Sequence, residues 1–291
     1  MKNYFHLKKH LKTIEKSIDE AIVNMGEKSP LRDACEFSLK SGGKRFRPLL
    51  VLLIAEALGK GYDVLDAALS CEFFHTASLI ADDLPCMDDE QTRRGKATLH
   101  VAFSESTAIL ASYTLIALGY ENINKSAKAL SKYTSKSHGD EVGMFALSAV
   151  SECAGINGAT KGQFLDLNLP DNKFETLMEV IEKKTVTLFE VSCVLGWLFG
   201  GGEFEKLNKV KECSYHLGMA FQIADDLNDY GSQNDHTNIA QVVGLDQANT
   251  MFENHFKAFQ ESLDVLNLKS KSLDTLSDIL WDMSRCAKTI V

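Results

Sequence analysis

The sequence predicts an all-α protein. Apolar residues recur at steps of three and four along most of the 291-residue chain, strand-like alternation appears nowhere, and only four prolines break the pattern. About ten to twelve helices are expected, packed as one bundle around a central cavity. No Ser/Gly/Pro-rich linker and no change of periodicity divides the chain, so residues 1–291 read as a single domain.

The elements follow in order. Leu7, Leu11, Ile14, Ile18, Ile22 and Met25 form the apolar stripe of a first helix that ends near Gly26. A second helix from about Leu31 to Leu39 stops at Ser41, Gly42 and Gly43, and Pro48 restarts helix through Leu58. Residues 64–84 form a strongly apolar helix ended by Pro85. Residues 101–120 are apolar nearly all round and read as a buried central helix, whereas 122–138 reads as a polar surface helix or loop. Helix resumes over 144–155, 174–199, 210–230, 244–266 and 273–290.

Composition excludes several classes. A net charge of −9 without a basic stripe argues against nucleic-acid binding. The seven cysteines form no Cys-x-x-Cys pair and suggest neither a zinc site nor a disulfide framework, so a reduced cytoplasmic setting is expected. The N-terminus MKNYFHLKKHLKTIEK lacks the apolar core of a signal peptide. The longest apolar segments, 48–55 and 191–202, fall far short of the roughly 20 residues of a membrane span.

Three stretches carry chemistry. LIADDLPCMDDEQTRRGKATLH sets Asp82, Asp83, Asp88, Asp89 and Glu90 ahead of Arg93, Arg94 and Lys96. Carboxylates this close repel one another, and oxygen-only ligands select a hard ion such as Mg2+, which keeps open positions for phosphate oxygens. The arginines would hold the same phosphates by forked hydrogen bonds. GGKRFRP, with Lys44, Arg45 and Arg47 just before a helix N-terminus, outlines a phosphate site that is not a Walker loop. In AFQIADDLND, Asp225 and Asp229 stack on one helix face with Asp226 beside them and Gln222 one turn before. Each stretch alone also reads as a solvated loop, an ordinary turn or a wet helix face. His75, two turns before Asp82, by itself reads more readily as a satisfied core histidine than as a ligand, and for Gln163 and Asp166 polar caps are as good an explanation as a site. Lys183 and Lys184 are either on a wet face or in need of a buried partner. Taken together, the two aspartate clusters could face each other across one cavity that binds a diphosphate and, along its apolar walls, a hydrocarbon.

With these motifs the chain resembles the all-trans (E-type) polyprenyl diphosphate synthases of the farnesyl and geranylgeranyl kind. GGKRFRP (42–48), DDLPCMDD (82–89), RRGKATLH (93–100), GQFLDL (162–167), KT (184–185) and FQIADDLND (221–229) stand in that family's order. The resemblance implies an Mg2+-dependent prenyltransferase, usually a homodimer, that joins isopentenyl diphosphate head to tail to dimethylallyl, geranyl or farnesyl diphosphate. It implies that Asp82, Asp83 and Asp88, with Asp225, Asp226 and Asp229, ligate three Mg2+ ions holding the allylic diphosphate, which Arg93 and Lys184 also touch. Lys44, Arg47, His75 and Arg94 would bind isopentenyl diphosphate, and Thr185 and Gln222 would lie along the allylic cation. Five residues before Asp82 the small Ala77, followed by Ser78, leaves room for a tail with Phe74 as its floor, so a C20 product is expected ahead of C15.

The chain departs from the family pattern in three places. The loop after Asp229 is shortened, with His236 where a lysine is usual; Tyr113 occupies a position usually held by aspartate, and Ala81 replaces a histidine. The alternative is a non-catalytic regulatory subunit of the same fold. Such subunits usually lose motif aspartates, and here all are present. A terpene cyclase would have no use for GGKRFRP, since it binds only one diphosphate.

Overall fold

A computed structural model describes residues 5–171, 173–231 and 238–285. Fourteen α-helices occur among them. They are α1 (Phe5–Val23), α2 (Pro30–Leu39), α3 (Phe46–Leu58), α4 (Leu65–Asp82), the single turn α5 (Leu99–Ala102), α6 (Glu105–Leu130), α7 (Lys136–Ala154) and α8 (Ala159–Leu167). After these come α9 (Phe174–Ile181), α10 (Thr187–Phe199), α11 (Leu207–Asn228), the short α12 (Ile239–Val243), α13 (Leu245–Val265) and α14 (Lys271–Met283). A π-helical turn, Glu182–Val186, joins α9 to α10 without a break. The fold is all-α, as the periodicity indicates.

Two expectations are corrected. Strand is not wholly absent: Thr92–Arg93 (β1) and Lys96–Ala97 (β2) pair as a minimal antiparallel hairpin. Its two-residue turn is Arg94-Gly95, both at positive φ, the conformation that matches strand twist. Four residues are too few for alternation to be visible.

The second correction concerns the core. The central helix is α10, where eleven residues including Phe189, Trp197 and Phe199 are buried. The stretch 101–120 instead spans α5 and the first half of α6, and only one side of it faces inward, through Ala108, Ala111, Ser112 and Leu115. Ile109, Leu110, Tyr113 and Ile116 are exposed. Helix α6 continues through Leu130 and α7 starts at Lys136, so the helical alternative holds for most of 122–138, and Ser135 caps α7 by accepting from the His138 N–H.

Around α10 lie α3, α4, α7 and α11. Helix α1 seals the bundle with Leu7, Ile14, Ile18 and Ile22, the stripe read from the sequence. The C-terminal end of α4, the N-terminal end of α3, the π turn and the end of α11 come together at one end of the bundle, where the chemistry-bearing residues collect. No described helix is long and apolar enough to cross a membrane.

Candidate active site

The loop between α2 and α3 turns sharply, with Gly42 at φ 91 and Gly43 at φ 132. Arg45 also has positive φ, 49, which is strained for a side chain with a Cβ. Its guanidinium is fixed from three sides: Nη1 donates to the buried Glu72, Nε donates to Glu15 at 2.8 Å, and Nη2 donates to the Leu39 carbonyl at 2.6 Å. The loop's three basic residues are therefore not equivalent. Arg45 spends its charge on Glu72 and Glu15 and pins the loop to α1, α2 and α4, which leaves Lys44 and Arg47 for a ligand.

Lys44, Arg47, His75 and Arg94 line one cavity of about 470 Å3 together with Gly43 and Phe221. Arg47 lies over the Phe189 ring, 4.9 Å from its centre. Burial lowers its pKa to about 10, so it remains charged at neutral pH. Burial, reinforced by the neighbouring arginines 47 and 94, holds His75 well below the ordinary histidine range, so the ring is neutral. Arg47 Nη1 approaches His75 Nε2 at 3.4 Å. Because a guanidinium can only donate, Nε2 is the acceptor and Nδ1 carries the proton. Arg47 Nε and His75 Nδ1 are then two buried donors without a protein partner. Buried donors of this kind call for an acceptor, and beside three cations the fitting one is an anion. The hairpin brings Arg94 over the loop, where Nη1 donates to the Gly42 carbonyl.

The acidic residues gather beside this cavity. Burial pushes the Asp82 carboxyl up to about 6, with Asp88 and Asp83 adding to the shift and Lys184 and Arg93 opposing it. Asp83 is buried and accepts from Arg93 Nε at 2.6 Å. Lys184 Nζ stands 2.5 Å from Asp166 and 3.9 Å from Asp88, and Gln163 Nε2 donates to Asp88 at 3.1 Å. Thr185, the next residue in the π turn, donates to Gln222 Oε1 at 2.8 Å, and Gln222 Nε2 donates to Asp226 at 2.7 Å. The extra residue of a π turn re-aims side chains, and turns of this kind recur at functional sites. Here Lys184 faces the first acidic cluster and Thr185 the second, so the two clusters share one mouth. Lys44 Nζ lies 3.9 Å from Asp225 and joins the basic cavity to the same mouth.

Asp226 is buried and also accepts from the Ile239 N–H at 2.8 Å, while Asn238 donates to its carbonyl, so a wet helix face is ruled out for it. Asp229 is exposed at the C-cap of α11. Among the described residues, no three acidic, histidine or cysteine side chains converge tightly enough to hold a metal ion by themselves. The donors at the mouth are nonetheless all carboxylate, which suits a hard cation that completes its shell with phosphate oxygens and water. His236 lies outside the described residues.

Below Asp82 on α4, Ala77 is buried and Ser78 donates to the His75 carbonyl at 2.9 Å. Phe74 is buried one turn deeper, edge-on to Tyr120 with ring centres 5.1 Å apart.

Sequence reasoning undervalued Gln163, Asp166 and Glu72. Gln163 and Asp166 are engaged with Asp88 and Lys184 rather than with a helix end, and their spacing of three sets them on one side of α8. Glu72 carried a readable signal, because an ionised residue inside an apolar helix requires a partner. The partner, Arg45, is too far away in sequence to be guessed.

A family model described as polyprenyl synthetase matches residues 28–276. The chain belongs to the polyprenyl synthetase family. It is 30% identical over 285 residues to a farnesyl diphosphate synthase of Bacillus subtilis, covering 92% of this chain and 94% of that one. It is 37% identical over 224 residues to a chloroplastic geranylgeranyl pyrophosphate synthase of Capsicum annuum, covering 75% of this chain. It spans about three-fifths of the length of the plant relatives it matches. Among solved structures, a geranyltransferase from Legionella pneumophila superposes with a TM-score of 0.84 at 28% identity, covering 97% of this chain and 98% of that one.

Proposed function

We propose that this family member is a Mg2+-dependent short-chain (E)-prenyl diphosphate synthase. It would condense isopentenyl diphosphate head to tail with dimethylallyl, geranyl or farnesyl diphosphate, ending at geranylgeranyl diphosphate (C20) ahead of farnesyl diphosphate (C15). The observation that carries this reading is the pair of unpartnered buried donors, Arg47 Nε and His75 Nδ1, in a basic cavity that opens on two acidic clusters. A monophosphate-processing or purely structural site would need only one of these halves.

In this reading Lys44, Arg47, His75 and Arg94 bind isopentenyl diphosphate, and the neutral His75 donates from Nδ1 without adding charge that would compete with the arginines. Arg93 and Lys184 contact the allylic diphosphate. Asp82, Asp83, Asp88, Asp225, Asp226 and Asp229 would hold up to three Mg2+ ions, which when bound supply positive charge to the departing diphosphate. Thr185 and Gln222, hydrogen-bonded to each other and to Asp226, would lie along the allylic cation and offer it oxygen lone pairs. Phe46, Phe189 and Phe221, packed ring against ring, wall the cavity against water. The double bond of isopentenyl diphosphate attacks the cation, and the proton lost from its C2 passes to the released diphosphate.

In this reading the small Ala77 and Ser78 would let a tail longer than fifteen carbons pass below Asp82, with Phe74 beneath. All 291 residues would act as one catalytic unit in the cytoplasm.

We infer also that a second copy covers the exposed side of α6. No charged residue occurs between Glu105 and Glu121, yet Ile109, Leu110, Tyr113 and Ile116 face outward, and Met144 on the neighbouring α7 is exposed as well. A relative 32% identical to this chain is named as the large subunit of a heterodimeric synthase, which supports pairing as a use of the fold.

The test is direct. The purified chain alone, with Mg2+, isopentenyl diphosphate and each allylic diphosphate in turn, is expected to release inorganic diphosphate and yield a C20 product by chromatography. No release with any starter would overturn the synthase reading in favour of a regulatory subunit.

A further inference from the structure

The Phe74 ring lies in a notch that exists because residue 119 is glycine. A Cβ on Gly119 would stand 2.6 Å from Phe74 Cε1, 2.8 Å from Cζ and 3.0 Å from Cδ1, against the roughly 3.5–4.0 Å of an ordinary carbon contact. Parting the helices to make room would cost two buried hydrogen bonds. Buried hydrogen bonds tie α4 to α6 above and below the ring, from Ser112 Oγ to the Ala77 carbonyl at 3.0 Å and from Ser70 Oγ to the Gly119 carbonyl at 2.9 Å. Tyr120 closes the ring's edge.

We infer that Gly119 is a specificity-determining residue, which sets product length by drawing the Phe74 ring sideways into α6. The inference rests on the prenyl-elongation reading above and deepens it. On that reading, Phe74 is half floor and half wall. Seated on Gly119 the ring is drawn toward α6, so the depth of a tail path below Ala77 would depend on a residue that need not touch the substrate. A side chain at 119 would push the ring out of α6 toward the tail path below Ala77, because the two serine ties oppose a widening of the helix pair.

The experiment compares four proteins, the wild type, Phe74→Ala, Gly119→Ala and the double variant, each given isopentenyl diphosphate with geranyl diphosphate. Product chain length is read by chromatography and thermal midpoint by calorimetry. The expected result is a shift of the main product by one five-carbon unit toward the shorter chain in Gly119→Ala, reversed in the double variant. Gly119→Ala should lower the midpoint in the wild type and lower it less in the Phe74→Ala background, a readout that needs no activity. An unchanged product spectrum in Gly119→Ala, or a Gly119→Ala effect on product length and midpoint as large without Phe74 as with it, would overturn the inference while leaving the synthase reading intact. A wild type that makes no prenyl diphosphate overturns the reading itself, and the inference with it.

Discussion

Arg94 closes over Gly43 so tightly that a methyl group on the glycine would stand 2.6 Å from the guanidinium. Two parts of the chain that lie far apart in sequence therefore form one wall of the basic cavity, and the contact needs a residue without a Cβ that also tolerates φ 132. Gly43→Ala is expected to displace Arg94 and weaken isopentenyl diphosphate binding about tenfold, roughly 1.4 kcal/mol. Calorimetric titration of the variant with isopentenyl diphosphate checks this, and affinity equal to wild type would remove Arg94 from the binding set.

Asp166 is expected to matter although it stands behind Lys184. Lys184 is half-buried and its charge is supported chiefly by Asp166, with Asp82 and Asp88 behind. Asp166→Asn should free the ammonium to pair with Asp82 or Asp88 and lower kcat/KM for the allylic substrate by about ten- to a hundredfold, ~1.4–2.8 kcal/mol. Asp166→Glu should recover part of it. Steady-state kinetics on both variants decide the matter.

A pH dependence of stability is expected from a site remote from the chemistry. His216 on α11 and His255 on α13 meet through their Nδ1 atoms at 3.1 Å, with the Tyr215 ring edge-on to both. Burial and then the neighbouring His216 pull His255 down to about 4; burial also lowers His216, against the pull of Glu212. Both histidines protonate more readily in the unfolded chain than in the folded one. Stability is thus fully present above about 6.5 and falls as pH drops from there through 4. Thermal midpoints at pH 7.5 and pH 5 should differ more in the wild type than in His255→Gln, and equal slopes would exclude the pair as the cause.

The uncharged side of α6 predicts an assembly. Leu110→Arg combined with Met144→Arg should convert a dimer to a monomer with its helical circular dichroism intact, as light scattering on a sizing column would report. If the wild type itself runs as a monomer at micromolar concentration, a second copy is not what covers this face.

Much of the site was legible because helices impose short-range order on side chains. Asp225, Asp226 and Gln222 share part of one helix surface by spacing alone, and Pro85 fixes where α4 must end. What could not be read were properties of distance and orientation. GGKRFRP offers three like charges, and only the fold reveals that Arg45 turns to Glu72 and Glu15 while Arg47 turns to His75. The apolar run 101–120 looks like a core helix because hydrophobicity does not distinguish burial inside a subunit from an outward apolar face. Phe189 and Trp197 mark the true centre, in a segment whose unbroken apolar run 191–202 was visible from the outset. The π turn left no mark in the sequence beyond polar Lys183, Lys184 and Thr185 within an apolar pattern.

Two of the bases at the mouth are already held by acids, Lys184 by Asp166 and Arg93 by Asp83, and Lys44 stands 3.9 Å from Asp225. A phosphate ester arriving there competes with those acids for the bases, and a divalent cation competes with the bases for the acids. Each newcomer releases the groups the other needs, so the two should strengthen one another's binding by the same factor, whichever comes first. Neutral bookkeeping of this sort lets a crowded array of opposite charges fold quietly and still respond sharply to a metal–phosphate pair.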